Sequence, residues 1–395
     1  MPSRLLIVFV LVVLALLHAY LGWRLLPALG LSTGGVWLGG VLLALSFLLM
    51  PAALAAPRMR RKRLADVFGW AGMLAMGLFS SLLVLSLLRD LLLFFVALAG
   101  GSSAALTQDS AWGVLLLALL ASGSGFLNAR RTARVVSVDV PISGLPEALE
   151  GFTIAQISDL HVGPTIKRDY LKRIVRRVNE LHPDLIAVTG DLADGGVPEL
   201  AEHTAPLADL LARYGAYFVT GNHDHYSGAE AWIAEVERLG LTVLMNEHVV
   251  LDHRGAALVV AGVTDYDAHH IDPDRRSDPH AAIAGAPSEA VAVLLAHQPR
   301  SAPLAAKAGF ALVLSGHTHG GQFWPWNFFV PLQQPFTAGL HRLDELWVYV
   351  SRGTGYWGPP KRFGAPSEIT LLRLGRGALS SGEAGAGAAE SCRCG

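Results

Sequence analysis

The chain has 395 residues, 52% hydrophobic and 16% charged, with a net charge of −1. That balance is too apolar for an ordinary soluble protein, and a charge so near zero argues against nucleic acid as a partner. The two cysteines, Cys392 and Cys394, fall in the last four residues, so no disulfide framework holds the body of the protein, and a free tail is expected there rather than a metal or lipid attachment site.

The apolar excess is concentrated before residue 130, in runs over 5–21, 36–56, 67–88 and 111–127. A helix of about 17 to 25 apolar residues crosses a bilayer core, so four membrane spans are predicted. A further run over 91–98 is too short to span unless it extends the third, and could be interfacial or re-entrant. The first run is not expected to be a signal peptide, because no small-residue cleavage site follows it and three more spans do. "RMRRKR" (58–63) lies between spans two and three, and "RRTAR" (130–134) follows span four. Four spans put both clusters on one side, which the positive-inside tendency makes cytoplasmic, together with the C-terminal part. Charges within the first half sit near span ends, as at Arg24, Arg89 and Asp90, so an anchor is expected rather than a transport path.

From Val135 the pattern changes. "RVVSVDVP" alternates like an edge strand ended by proline. Strands "FTIAQIS", "DLIAVT" and "AYFVT" then alternate with helical stretches over 168–181, 200–211 and 230–239. Short strands follow: "TVLM", "HVVLDH", "ALVVAGV", "AVAVLLA", "FALVLS", "LWVYVS" and "EITLLRL". Mixed β-structure with helices outside implies a layered α/β core. The Gly-, Ala-, Ser- and Glu-rich residues 375–395 are expected to be disordered.

Fourteen of the fifteen histidines lie after residue 130, and several of them stand just behind apolar strands. "DLHVG" brings Asp159 and His161; "GDLAD" brings Asp191 and Asp194. "GNHDH" brings Asn222, His223 and Asp224. "HQP" brings His297, and "GHTHGG" brings His317 and His319. Ligands of open α/β sheets gather at the carboxyl ends of strands. An i, i+2 spacing in an extended segment aims both side chains to one side. Each element alone has an ordinary structural explanation, since a histidine after a strand commonly caps or packs. Five in order point to a metal site. Four imidazoles with carboxylate and amide oxygens, and no thiolate, suit Mn, Fe or Zn rather than Ca. Seven donors exceed one ion's need and suit two ions sharing a carboxylate.

The ordered set DxH, GDxxD, GNHD, H, GHTHGG over about residues 135–374 resembles the calcineurin-like metallophosphoesterase family. Its membrane-anchored bacterial branch also carries GHTHGGQ and a late segment like "RFGAPSEI". The resemblance implies a four-layer αββα sandwich, here preceded by a four-helix transmembrane region, and a two-metal centre. It assigns Asp159, His161 and His319 to the first metal, Asn222, His297 and His317 to the second, and Asp191 to the bridge. His223 resembles the family's non-ligand histidine and is expected to be the general acid, with Asp224 orienting it. Asp224 stands where the family commonly has Glu. Asp194 is expected to hold a loop or a ligand histidine. The implied reaction is hydrolysis of phosphate mono- or diesters by a hydroxide shared between two ions.

The uncharged "QFWPWNFFVPLQQPF" (322–336) is expected either to meet the membrane interface and line a lipid-accepting cleft, or to pack under a sheet. Among the later cations Arg342, Arg352, Lys361 and Arg362, the residues Arg352 and Arg362 are candidates to meet substrate phosphate. The loop 265–280 reads as a solvated insertion or a lid. The domain organisation expected is a membrane region over 1–134, a phosphoesterase domain over 135–374 and the tail. The expected substrate is a phosphate ester, with an apolar phosphate ester or lipid-linked pyrophosphate favoured; no obligate protein partner is evident. The alternatives are a tethered nucleotide phosphodiesterase and a non-catalytic ligand-binding membrane module.

Overall fold

The computed structural model describes residues 4–56, 59 and 61–377. Four helices come first: α1 (Arg4–Leu25), α2 (Thr33–Ala55), α3 (Lys62–Leu98) and α4 (Ala104–Arg130). Each is long and apolar enough to cross a membrane. Ser32 and Ser103 start α2 and α4 by accepting the amides of Gly35 and Leu106, which otherwise lack partners in a first turn. The run 91–98 is the continuation of α3. At ~1.5 Å per residue its 37 residues make ~55 Å, well beyond ~30 Å of hydrocarbon. Its first turns instead meet the rest of the protein: Lys167 Nζ donates to both Asp66 oxygens at 2.7 and 2.8 Å.

The remaining strands are β1 (Arg134–Ser143), β2 (Thr153–Ile157), β3 (Leu185–Thr189), β4 (Ala216–Val219), β5 (Thr242–Val243), β6 (Glu247–His253), β7 (Ala256–Gly262), β8 (Val291–Leu295), β9 (Leu312–Ser315), β10 (Gly339–Leu343), β11 (Leu346–Val350) and β12 (Glu368–Gly377). They form two mixed six-stranded sheets, ordered β1-β12-β2-β3-β4-β5 and β10-β11-β9-β8-β7-β6. Ile154, Tyr217 and Val219 of the first interleave with Leu258, Val293 and Tyr349 of the second in one buried cluster. On the outer face of the first sheet pack α5 (Arg168–Asn179), α6 (Val197–Thr204) and α8 (Ala229–Arg238), through Leu171, Val178, Leu200 and Trp232. Ala282 of α9 (Pro279–Ile283) and Ala302 and Ala305 of α10 (Ala302–Lys307) cover the second. Burying both faces of each sheet explains why the central strands are apolar throughout rather than alternating.

Several details differ from the sequence reading. Pro141 does not end β1: the strand runs on to Ser143, and its edge position beside β12 makes the missing amide tolerable. The helix expected over 200–211 is α6 followed by a tighter turn over Ala205–Asp209. Strand β10 was not anticipated; its pairing with β11 comes from the Asp344–Glu345 turn. Residues 375–377 belong to β12 and are ordered, while the rest of the expected tail, with Cys392 and Cys394, lies outside the described residues. The loop 265–280 is tied down: Asp265 is buried against Gln298, and Arg275 pairs with Glu230 and Asp272.

Candidate metal centre

β2, β3 and β4 lie side by side and parallel, as do β8 and β9 in the other sheet. Their carboxyl ends deliver Asp159, Asp191, Asn222, His297 and His317 to one edge of the sandwich. His223 and Asp224 follow Asn222 on the short helix α7 (Asn222–Tyr226). The i, i+2 pairs do not work through extended backbone. Asp159, His161, Asp191, His317 and His319 all have left-handed φ, between 49° and 69°. L-residues adopt that region at a cost and persist in it only where the surroundings hold them, most often at functional sites. Here the holding contacts are visible. His317 N donates to Asp159 Oδ1 at 2.9 Å, and His223 N to Asp191 Oδ1 at 2.8 Å. The chain at Gly316 passes so close that a Cβ there would meet Ser158 Oγ and Asp159 Oδ2.

The donors converge in two groups. Asp159, His161 and His319 form one, and Asp191, His297 and His317 the other. In the first, His161 Nε2 is 3.0 Å from His319 Nε2, which is 3.4 Å from Asp159 Oδ1. In the second, His317 Nδ1 lies 3.2 Å from His297 Nε2 and 3.0 Å from Asn222 Oδ1. Asp191 Oδ2 reaches both, at 3.6 Å from His161 Nε2 and 3.2 Å from His297 Nε2. The remote nitrogens of two histidines are engaged elsewhere: His161 Nδ1 with Asp194 Oδ1 at 2.9 Å, and His297 Nδ1 with the Thr189 carbonyl at 2.8 Å. That leaves Nε2 of each turned inward, the arrangement found around metals.

The electrostatics favour positive charge in this pocket. Burial alone would lower the imidazole of His161, but Asp194, Asp191 and Asp159 push it up to about 9. His297 is likewise raised against its burial, chiefly by Asp191. Asp159 is raised by burial, which outweighs the opposing pull of His297, with Asp191 adding to the rise. His317 falls to about 3 and His319 well below its usual value, both by burial first, so their lone pairs stay open. Inward lone pairs, buried carboxylates short of positive charge and no thiolate fit hard or borderline divalent cations.

The residues around the donors correct two expectations. Asp224 does not orient the His223 ring. It is buried and accepts the amides of Gly221, Asp191 and Leu192 at 2.8, 2.9 and 2.9 Å, fixing two ligand loops to each other. Asp194 takes the orienting position, with Oδ1 at 2.8 Å from His223 Nδ1. Arg362 is fully buried and does not face a substrate. Its guanidinium donates to the carbonyls of Gly355, Arg352 and His319 at 3.1, 2.6 and 3.0 Å and lies 2.9 Å from His319 Nδ1. Arg352 is partly exposed, and its Nη1 donates to Glu368 Oε2 at 3.0 Å. Two neighbours were not foreseen. Trp357 and Tyr226 set their rings edge-on to His223, with centroids 5.5 and 5.6 Å away. Tyr226 follows His223 by three residues and could have been suspected, whereas Trp357 carries no local signal.

The calcineurin-like phosphoesterase family matches residues 152–321. A zebrafish (Danio rerio) transmembrane protein with metallophosphoesterase domain is 39% identical over 268 residues, covering 66% of this chain and 61% of that protein. Its cattle (Bos taurus) namesake is 40% identical, covering 63% and 59%. The chain therefore spans about three fifths of the length of these two relatives. An uncharacterized metallophosphoesterase of Aquifex aeolicus is 31% identical over 243 residues, which are 61% of this chain and 91% of that protein. With a full-length relative at that identity, the family's sequence match and the αββα sandwich in agreement, this chain belongs to the calcineurin-like metallophosphoesterase family.

Proposed function

We propose that the chain is a membrane-tethered phosphoesterase. Residues 135–374 hydrolyse phosphate mono- or diesters at two divalent ions, and residues 1–134 anchor that unit to the bilayer with the sandwich on the cytoplasmic side. The observation that carries this reading is the meeting of seven donors from five strand ends in two groups that share Asp191. Asp159, His161 and His319 would hold one ion, Asn222, His297 and His317 the other, and Asp191 would reach both. Two such ions, Mn, Fe or Zn by donor type, would supply an activated water and neutralise the equatorial phosphoryl oxygens.

The protein's own side chains do the remaining work. Asp194 fixes His161 with its Nε2 inward and, through the same oxygen, fixes His223 by Nδ1. His223 Nε2 is thereby free to give a proton to the leaving oxygen, and its position at the rim allows it to regain one from water. The Trp357 ring stands beside it and limits access on that side. Arg352, partly exposed beside Glu368, is the side chain we assign to a phosphate oxygen.

The test is metal stripping and reconstitution of the purified full-length protein in detergent. Mn, Fe and Zn are each titrated, bound ions counted, and hydrolysis of bis-p-nitrophenyl phosphate and p-nitrophenyl phosphate followed. Two ions per chain with turnover is the expected result. Two ions without cleavage of either ester would convert the protein into a binding module.

A further inference from the structure

We infer that the phosphate ester is a lipid drawn from the bilayer, its hydrocarbon tail held in an apolar slot between α3, α4 and the aromatic loop. This deepens the phosphoesterase reading above and rests on it. The slot has a volume of about 220 Å³ and is walled by Val84 and Leu85 of α3, Leu117 and Leu120 of α4, and Trp324 and Phe363 of the sandwich.

Its depth is the first argument. Ala121, also in the wall, lies nine residues before the end of α4 at Arg130, ~13 Å along the axis, and Leu117 lies ~20 Å along. Both positions lie inside the apolar run 111–127 that gives α4 the length and composition of a membrane span, so they fall within a hydrocarbon layer ~30 Å thick. Its walls Leu117 and Leu120 are themselves more than half exposed, so the slot adjoins a surface that lipid covers. The aromatic loop behaves accordingly and is not packed under a sheet. Trp326 Nε1 donates to Ser80 Oγ of α3 at 3.1 Å, while Phe328, Phe329 and Leu332 are 66%, 53% and 79% exposed. In water these would be an apolar hazard; at a bilayer interface they are in place.

The second argument is nearness to the metal centre. One wall residue, Trp324, follows His319 by five residues, a stretch that reaches at most ~18 Å. The other, Phe363, follows Trp357 by six, and the Trp357 ring touches His223. The two segments are clasped together. Gln322 Oε1 accepts the Trp357 amide at 2.9 Å, and its Nε2 donates to the carbonyls of Trp357 and Pro359 at 2.9 and 3.2 Å. Lys361 then ties this assembly to both helices, donating to the Gly77 carbonyl at 2.8 Å and the Ser122 hydroxyl at 3.2 Å. A molecule with phosphate at the rim and an apolar tail in the slot fits this path, whereas a nucleotide has nothing to place in it.

The experiment uses the full-length protein in nanodiscs. First, chelator-treated protein is irradiated in discs containing phosphatidic acid with a diazirine in its acyl chain. Labelling is expected to concentrate on residues 117–121 and 324–326, and uniform labelling of all four helices would overturn the slot. Second, the Mn-loaded protein is assayed on phosphatidic acid, on an isoprenoid pyrophosphate and on bis-p-nitrophenyl phosphate. Ala121→Phe, which fills the slot, and Trp324→Ala, which removes a wall, are each expected to lower the ratio of lipid to soluble-ester rate about tenfold, the loss that follows when a couple of methylene groups lose their burial. The two lipids identify the headgroup class. Ratios unmoved in both variants would overturn the proposal with the phosphoesterase reading intact. A wild type that labels in the slot yet cleaves none of the three substrates would overturn the substrate claim through the phosphoesterase reading itself.

Discussion

Asp194 Oδ1 stands between two imidazoles, 2.9 Å from His161 Nδ1 and 2.8 Å from His223 Nδ1. Its carboxyl is held at about 2 despite burial, by His161 and His223 together. One oxygen thus links a ligand to the proposed general acid, and the two substitutions that probe it should differ. His223→Ala removes only the acid. Turnover of bis-p-nitrophenyl phosphate is expected to fall by about 10²–10⁴, with bound metal unchanged. Asp194→Asn frees both rings, so turnover and metal retention should fall together, metal affinity by about 10–100-fold. Metal counting on the two variants separates these outcomes, and metal loss in His223→Ala would mean that His223 is a ligand.

The raised imidazole of His161 sets a pH dependence. In metal-free protein its folded value, about 9, exceeds the unfolded 6.5, so protonation stabilises the fold. That contribution is fully present below pH 6.5 and is lost as pH rises through about 9. A bound cation requires the neutral ring and supplies the missing positive charge itself. Chelator-treated protein should therefore lose thermal stability between these limits, and the gain in melting temperature on adding Mn should widen with pH. A gain that shrinks with rising pH would contradict the charge distribution described for the pocket.

At the scale of elements, the site depends on how closely its loops pass. A methyl group at residue 316 would push on Ser158 and Asp159, and one at residue 221 on Asp191. Gly316→Ala is expected to displace the Asp159 loop and lower the count of bound ions, even though alanine is otherwise innocuous in a turn. Arg362 works from behind. It fixes His319, while its own amide donates to the Gly125 carbonyl of α4 at 2.8 Å. Arg362→Met would orphan several buried carbonyls, each worth about 1–3 kcal/mol. Thermal stability and metal content should drop together. The sequence made the order of strand and ligand plain, because buried parallel strands are apolar runs and the polar residues begin where those runs stop. It did not disclose the left-handed backbone at Asp159, His161, His317 and His319, which follows from the tertiary contacts holding those loops and not from local preference. For the same reason Arg362 read as a candidate for substrate phosphate: its partners are main-chain carbonyls, invisible in a one-dimensional pattern.

For the whole molecule the open geometrical quantity is sidedness, and charge placement argues it. An even number of helices puts the segment between α2 and α3 on the same side as the sandwich, and both "RMRRKR" and "RRTAR" fall there. The opposite connections, "LPALGLS" at 26–32 and "AGGSS" at 99–103, carry no charged residue. Short loops with that asymmetry orient with the cationic side inward. The two cysteines provide a reporter without any substitution, since Cys392 and Cys394 are the chain's only thiols and follow the sandwich. A membrane-impermeant maleimide should leave them unlabelled in intact cells and label them once the membrane is permeabilised. The complementary protein, with Cys392→Ser, Cys394→Ser and Ser102→Cys, should show the reverse, labelling in intact cells. If the native thiols react from outside while residue 102 does not, the sandwich faces away from the cytoplasm. The ester it cleaves would then have to come from the outer leaflet.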